Sequence, residues 1–484
     1  MELILIPLFF AAVQFFVKGR TASWLALAST LVSLGWTICM ISGYAMDGST
    51  VNLVDVEWLK FAGIRFTLAY DGIALMMVLL TNLSLPIILL ASWDRNYGKS
   101  PLYLGLALLM QAALVGVFLA QDGILFYVFW ELALIPIYFI SAIWGGENKN
   151  RITLKFFIYT FFGSIFMLVG LLLWKSYGSS TNGFAWMSLV QSQIPSDIAF
   201  WAFLGFALAF AIKLPLFPFH TWQPDTYTVA PAGGTMLLSG IMLKMGLFGF
   251  IKWALPLVPH VGENMMHFLS VLAVIGIVYG SIIAIKQNDM KRLVAFSSMA
   301  HVGLIAAGIF TQSLEGLQGA IIQMLNHGIT AIGLFFVIDV IERRMETREL
   351  TLLSGIAKVS PVFAVMTLIL VMGSVAVPLT NGFVGEFILL KSVFDSNATL
   401  GVIAGLTIIF CAVYLLRMVQ FSLFGPSNAQ NEKFTPLTWA EGIGLGTLCF
   451  FVLWIGINPD PFFGLTERSV SNLLSLFNAI KVMP

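Results

Sequence analysis

The feature that most constrains this chain is a series of continuous apolar stretches, many about twenty residues long, following one another with few charges between them. A helix crosses the hydrocarbon core of a bilayer with about 20 apolar residues. Closed barrels also span membranes, but their strands alternate apolar and polar residues, and these stretches do not. Only 10% of the 484 residues are charged, against about 25% in soluble domains. Lipid, rather than water, is therefore expected to cover the surface. The fold class is an all-α membrane protein with about fourteen transmembrane helices. Spans are predicted at about 2–17, 22–46, 71–92, 101–119, 122–144, 151–175, 198–229, 234–255, 264–286, 292–310, 315–341, 359–394, 399–424 and 436–457. Residues 47–70 and 176–197 are polar enough to form loops. The tail after Pro461 reads as an interfacial helix, because Val470, Leu473, Leu474, Phe477 and Ile480 recur on one helical face.

A net charge of +1 gives no reason to expect nucleic acid. Cys39, Cys411 and Cys449 each stand alone in an apolar run, without haem or cluster spacing. No glycine-rich dinucleotide turn occurs, and no ligand set demands a metal. The chain is therefore expected to carry no cofactor of its own. Met1-Glu2-Leu3-Ile4 lacks the basic region of a signal peptide, and the apolar run ends at Lys18 and Arg20, as suits a retained first helix. Basic residues gather after odd-numbered spans, at Lys18, Arg20, Arg95, Lys99, Lys149, Arg151, Lys155, Lys286, Lys291, Arg292, Arg343, Arg344, Arg348, Lys358 and Lys433. They are fewer after even ones and in the C-terminal tail, at Lys60, Arg65, Lys175, Lys252, Lys391, Arg468 and Lys481. By the positive-inside rule the N-terminus is non-cytoplasmic.

Two spans are too long and too interrupted for one straight helix. In Lys213-Leu-Pro215-Leu-Phe-Pro218-Phe-His220 each proline lacks an N–H, so the carbonyls of Ala211 and Leu214 lose their usual donors. In Gly373-Ser-Val-Ala-Val-Pro378-Leu-Thr-Asn381-Gly382 the Asn-Gly pair signals a turn. Exposed backbone is too costly in lipid, so both breaks must face protein or a wet cavity. If helices 4–8 and 9–13 are two five-helix repeats, each break falls in the fourth helix of its repeat, and the second repeat is inverted. Matching breaks in inverted halves point to an ion path near the midplane. The chain then divides into N-terminal helices 1–3 (1–100), repeat one (101–260), repeat two (261–425), and helix 14 with the interfacial tail (426–484).

Most charges lie near span ends, where they can snorkel. Glu131, Lys213, Lys244 and Glu386 cannot, since each sits deep in a span or beside a break. An unpaired charge at that depth costs about 3 kcal/mol on insertion scales. Ion pairs that merely lock helices are an inefficient use of such residues, because desolvation offsets their attraction. A proton relay uses them better: burial moves lysine towards neutrality and a nearby carboxylate moves it back. His301 and His327 lie between them in sequence, and an imidazole can take a proton on one nitrogen and release one from the other. His220 and Asp225 form a possible proton inlet. Asp339 and Arg417, nearer span ends, read as snorkelling or capping residues, and Asp71 as a helix N-cap.

The stretches Phe129-Trp-Glu131-Leu, Ala211-Ile-Lys213-Leu-Pro215, His220-Thr-Trp-Gln-Pro-Asp225, Leu243-Lys244, Asp289-Met-Lys291-Arg292 through His301, His327, and Gly382-Phe-Val-Gly-Glu386-Phe occur in order over nearly the whole chain. They resemble the antiporter-like subunits of respiratory complex I and their relatives in Mrp-type antiporters and membrane-bound hydrogenases. The resemblance implies fourteen helices with two inverted five-helix repeats. It pairs Glu131 with Lys213, makes Lys244 the central carrier and ends the path at Glu386. Glutamate at 386, where related subunits usually carry lysine, is the M-type, mitochondrial subunit 4-like pattern, and no long lateral helix follows span fourteen. The break sequence Pro378-Leu-Thr-Asn-Gly departs from the Pro-Gly common in the family.

The implied function is proton translocation coupled to electron transfer from NADH to quinone in partner subunits. FMN and iron–sulfur clusters would lie in those partners, which would include L-type and N-type antiporter-like subunits. The location implied is a bacterial inner membrane. A Mrp-type cation/proton antiporter subunit or a membrane-bound hydrogenase subunit is the alternative.

Overall fold

The computed structural model describes residues 1–177, 183–426, 431 and 434–482. Among them, 12 helices are long and apolar enough to cross a membrane, from Arg20–Gly43 to Trp439–Ile457, and Glu2–Phe16 and Pro361–Val375 are shorter apolar helices. This is a multi-pass membrane architecture. The helices Ala232–Val261, Met290–Phe310 and Leu314–Met345 are buried on all sides, whereas Arg20–Gly43 and Ala398–Leu423 leave most of their surface at the rim. A helix apolar all round is the type that fills such a core. Helix starts are capped as their sequences allow. Asp71 accepts from Ala74 N at 2.8 Å, Asp289 accepts from Arg292 N at 2.9 Å, and Thr438 and Glu441 form a capping box.

Both predicted breaks are present, and their freed backbone is bonded within the protein, although Pro218, Pro378 and Leu379 lie at the surface. The helix Ser196–Lys213 ends, and helix resumes at Gln223–Val229. The carbonyl of Ala211 is not orphaned: Leu216 N donates to it at 2.8 Å. Trp222 Nε1 likewise donates to Ile212 O at 2.9 Å. The second break separates Pro361–Val375 from Asn381–Ser396. Ala376 and Leu379 take left-handed backbone there, with φ of 61° and 71°. Asn326 Nδ2 donates to Asn381 O at 2.7 Å, so the break is tied to the Leu314–Met345 helix.

Residues 47–70 correct the sequence reading. They form an antiparallel hairpin, Val51–Leu59 with Ile64–Tyr70, rather than a loop. The period-two run Val54-Asp-Val56-Glu, the left-handed turn at Gly63 and the 2.8 Å Arg65–Asp55 pair account for it. The C-terminal helix Asp460–Val482 docks on the same end of the bundle. Val470, Leu473 and Phe477 are buried, and Ser469 Oγ accepts from Gly72 N at 2.9 Å.

The opposite end is held by ions, and Asp339 is the second correction. It is a buried partner of Arg95 and Arg343, not a snorkelling or capping residue. Arg343 and Arg344 continue to buried Glu441 at 2.5 and 2.7 Å. Arg417 does cap, donating to Ile285 O and Gln287 O at 2.8 and 2.9 Å.

Breaking a buried ion pair from one side costs about 3–5 kcal/mol, whereas an exposed pair is worth about 0–1 kcal/mol. Asp339→Asn is therefore expected to lower the thermal unfolding midpoint in detergent clearly. Asp395→Asn, which removes the exposed Lys391–Asp395 pair at 2.7 Å, should barely move it.

Candidate functional site

Four helices bring the deep ionisable residues together. The span Ala232–Val261 is not uniformly α-helical: Leu238–Met242 and Phe250–Ala254 are π-helical turns. Such turns widen a helix and often mark functional sites. Beside the first of them, this span crosses the Leu314–Met345 helix at Gly240 and Gly328. A Cβ on Gly328 would lie 2.9 Å from Gly240 O, and one on Gly240 would lie 2.6 Å from Ile332 Cδ1. Only glycine permits so close a crossing. It sets Lys244 Nζ 2.8 Å from His327 Nδ1, with a second bond from Nζ to Ser239 O at 2.7 Å. Lys244 is wholly buried.

The line continues across the helix Met290–Phe310. The His327 and His301 ring centroids are 5.9 Å apart, and both rings border a narrow cavity with Ser297, Ser298 and Thr330. His301 Nδ1 lies 2.7 Å from Glu386 Oε1. Four sequence-predicted residues, Lys244, His327, His301 and Glu386, thus form one buried file, with only the histidine-to-histidine step lacking a direct hydrogen bond. Each member can hold or release a proton, and each neighbour can receive it.

Several partners were not read from sequence. Gln323 Nε2 donates to Glu386 Oε1 at 3.2 Å. Gln323 lies four residues before His327, on the same helical face, so periodicity could have found it. Cys411, expected to stand alone, places Sγ 3.5 Å from His301 Nε2 and donates to Ser374 O at 3.4 Å. Ser297 donates to Tyr414 Oη at 3.0 Å. No local signal marks these last contacts, which arise from helix packing.

The structure does not join the other predicted residues in the same way. Glu131 and Lys213 form no ion pair: Glu131 Oε1 and Lys213 Nζ both lack a hydrogen-bond partner, and Lys213 sits 5.2 Å over the Trp130 ring. The break and the Glu131 helix approach each other without closing the pair. Nor do His220 and Asp225 meet. His220 packs against Phe217 and Tyr279, at centroid distances of 5.7 and 4.9 Å. Asp225 is held at 3.1 Å by each of Lys155 and Arg292. Lys252, counted above among loop residues, is buried within its span, 3.7 Å from Asp71.

The family described as "NADH:quinone oxidoreductase/Mrp antiporter, TM" matches residues 120–411. NADH-quinone oxidoreductase subunit M of Rickettsia typhi is 35% identical over 459 residues, covering 93% of this chain and 92% of that protein. NADH-ubiquinone oxidoreductase chain 4 of Metridium senile is 35% identical over 442 residues, covering 90% and 89%. Among solved structures, a chain of respiratory complex I from Thermus thermophilus with bound NADH superposes with a TM-score of 0.90 at 29% identity. That match covers 98% of this chain and 99% of that one.

The glycine crossing yields a direct test. Gly328→Val should force the two helices apart, at about 1–3 kcal/mol for overpacking, and move Lys244 out of hydrogen-bond distance of His327. Gly405→Val, where a Cβ meets nothing within 4 Å, should be neutral. Thermal midpoints, and a structure of the Gly328 variant, check both.

Proposed function

Because this chain belongs to the NADH:quinone oxidoreductase/Mrp antiporter transmembrane family, we propose that it is an M-type subunit of an NADH–quinone oxidoreductase, moving protons across the membrane while its partners carry electrons from NADH to quinone. Identity of 35% over 93% of the chain to a subunit of that name supports this reading over a Mrp-type antiporter. FMN and iron–sulfur clusters belong to the partner subunits, and L-type and N-type antiporter-like subunits are the membrane neighbours. The site is the inner membrane of a bacterium, with the N-terminus on the non-cytoplasmic side.

The chain crosses the membrane fourteen times, in two inverted five-helix repeats, 101–260 and 261–425, between an N-terminal unit 1–100 and a C-terminal unit 426–484. The corresponding breaks after Lys213 and Val375 support that symmetry.

The observation that carries the mechanism is the buried file from Lys244 to Glu386. Lys244 holds a proton between Ser239 O and His327 Nδ1. His327 takes it on Nδ1 and passes it across the shared cavity to His301. His301 hands it from Nδ1 to Glu386, whose carboxylate Gln323 orients. Glu131 and Lys213 are the control element. While they stand apart, Lys213 lacks the carboxylate that would keep it charged. When they close, the carboxylate keeps Lys213 charged, so opening and closing the pair changes the electrostatic field within the repeat that holds Lys244. Proton intake lies at the opposite end, with His220 and Asp225 as its candidate residues.

Lys244→Arg should assemble yet lose most proton pumping, because arginine stays protonated and cannot hand a proton on. A purely structural cation would tolerate the exchange. Glu386→Gln preserves shape without titrating and should lower protons moved per electron, whereas Glu386→Lys should be better tolerated. Pumping by reconstituted complex carrying each variant checks both. Native stoichiometry with glutamine at 386 would remove Glu386 from the path.

A further inference from the structure

We propose that protons leave Glu386 towards the hairpin end through the hydroxyl cluster of Thr311, Ser313 and Ser392, with Leu389 as the barrier that keeps this outlet shut at rest. The inference rests on the relay reading above and supplies its exit. The helices Met290–Phe310, Leu314–Met345 and Asn381–Ser396 meet in three successive layers. The first is polar: Glu386 with His301 at 2.7 Å and Gln323 at 3.2 Å.

The second layer, about one turn further, is apolar. Leu389 is completely buried and fills space that two glycines leave free. A Cβ on Gly308 would fall 2.2 Å, and one on Gly319 3.3 Å, from its Cδ2. The third layer is polar again. Thr311 shares hydrogen bonds of 2.9 Å with both Ser313 and Ser392, and Ser313 shares one of 2.8 Å with Ser392. Thr311 also lines an open pocket with Gln312, His267 and Ser396, the last two of them exposed.

From Glu386 to Ser392 the helix rises about 9 Å. A proton crosses such a gap only along bridging water, and apolar constrictions gate by excluding water. Polar groups stand ready on both sides, so the apolar layer that holds buried Leu389, with Ile388 beside it against Gly319, separates the relay from the outer pocket. A shift of Asn381–Ser396, whose start is the helix break, would move Leu389 and admit water.

The test uses the purified complex containing this chain, reconstituted in liposomes. Passive proton leak after an imposed pH gradient is read with a pH dye, without NADH. Leu389→Ala should raise the leak severalfold, and Leu390→Ala, the same truncation at the neighbouring half-buried position, should not. Leu389→Thr, nearer in size, serves if alanine impairs assembly. Adding Glu386→Gln should return the leak to the native level, since the route runs through that carboxylate. A native leak in assembled Leu389 variants would overturn the barrier, and a leak that survives Glu386→Gln would overturn the route. Pumping by the single Glu386→Gln variant reads the relay itself, so the relay and its outlet can fail separately.

Discussion

A charge in the interior of a membrane protein is stabilised only by what the chain places beside it, because lipid offers nothing. The second half of this molecule meets that demand as a series. Lys244 is held by a carbonyl and an imidazole, His301 by a carboxylate and a thiol, and Glu386 by an imidazole and an amide. Each group stabilises its neighbour's proton, so the contacts that make burial tolerable are those along which a proton can move. The close crossing at Gly240 and Gly328 is what permits the first of these contacts.

In the first half one pair leaves the demand only partly met. Lys213 sits over Trp130, the residue before Glu131, yet neither Lys213 Nζ nor Glu131 Oε1 has a hydrogen-bond partner. Buried polar groups without partners are costly. A state in which these two close on each other would relieve that cost.

How much of this could be read from the chain depends on the kind of signal. Long apolar stretches identified most of the helices, and the prolines at 215, 218 and 378 located both breaks, since each effect is local. Lys244, His327, His301 and Glu386 stood out because ionisable residues are rare in such surroundings. The hairpin was hidden because its polarity outweighed its period-two pattern. Asp339 was misread because depth in a span does not reveal that Arg95 from another segment reaches it beside Arg343, one turn on in its own helix. Cys411 and Leu389 gave no signal, since their positions follow from how three helices cross. The Glu131–Lys213 contact, implied by resemblance, is open in this structure.

Infrared difference spectroscopy on the complex during NADH-driven turnover tests the central claim most directly, with native protein compared against Glu386→Gln. Proton transfer from His301 to Glu386 predicts a protonated-carboxyl band that rises and falls with turnover and is missing from the variant. Identical carboxyl bands in both would contradict a proton path through Glu386.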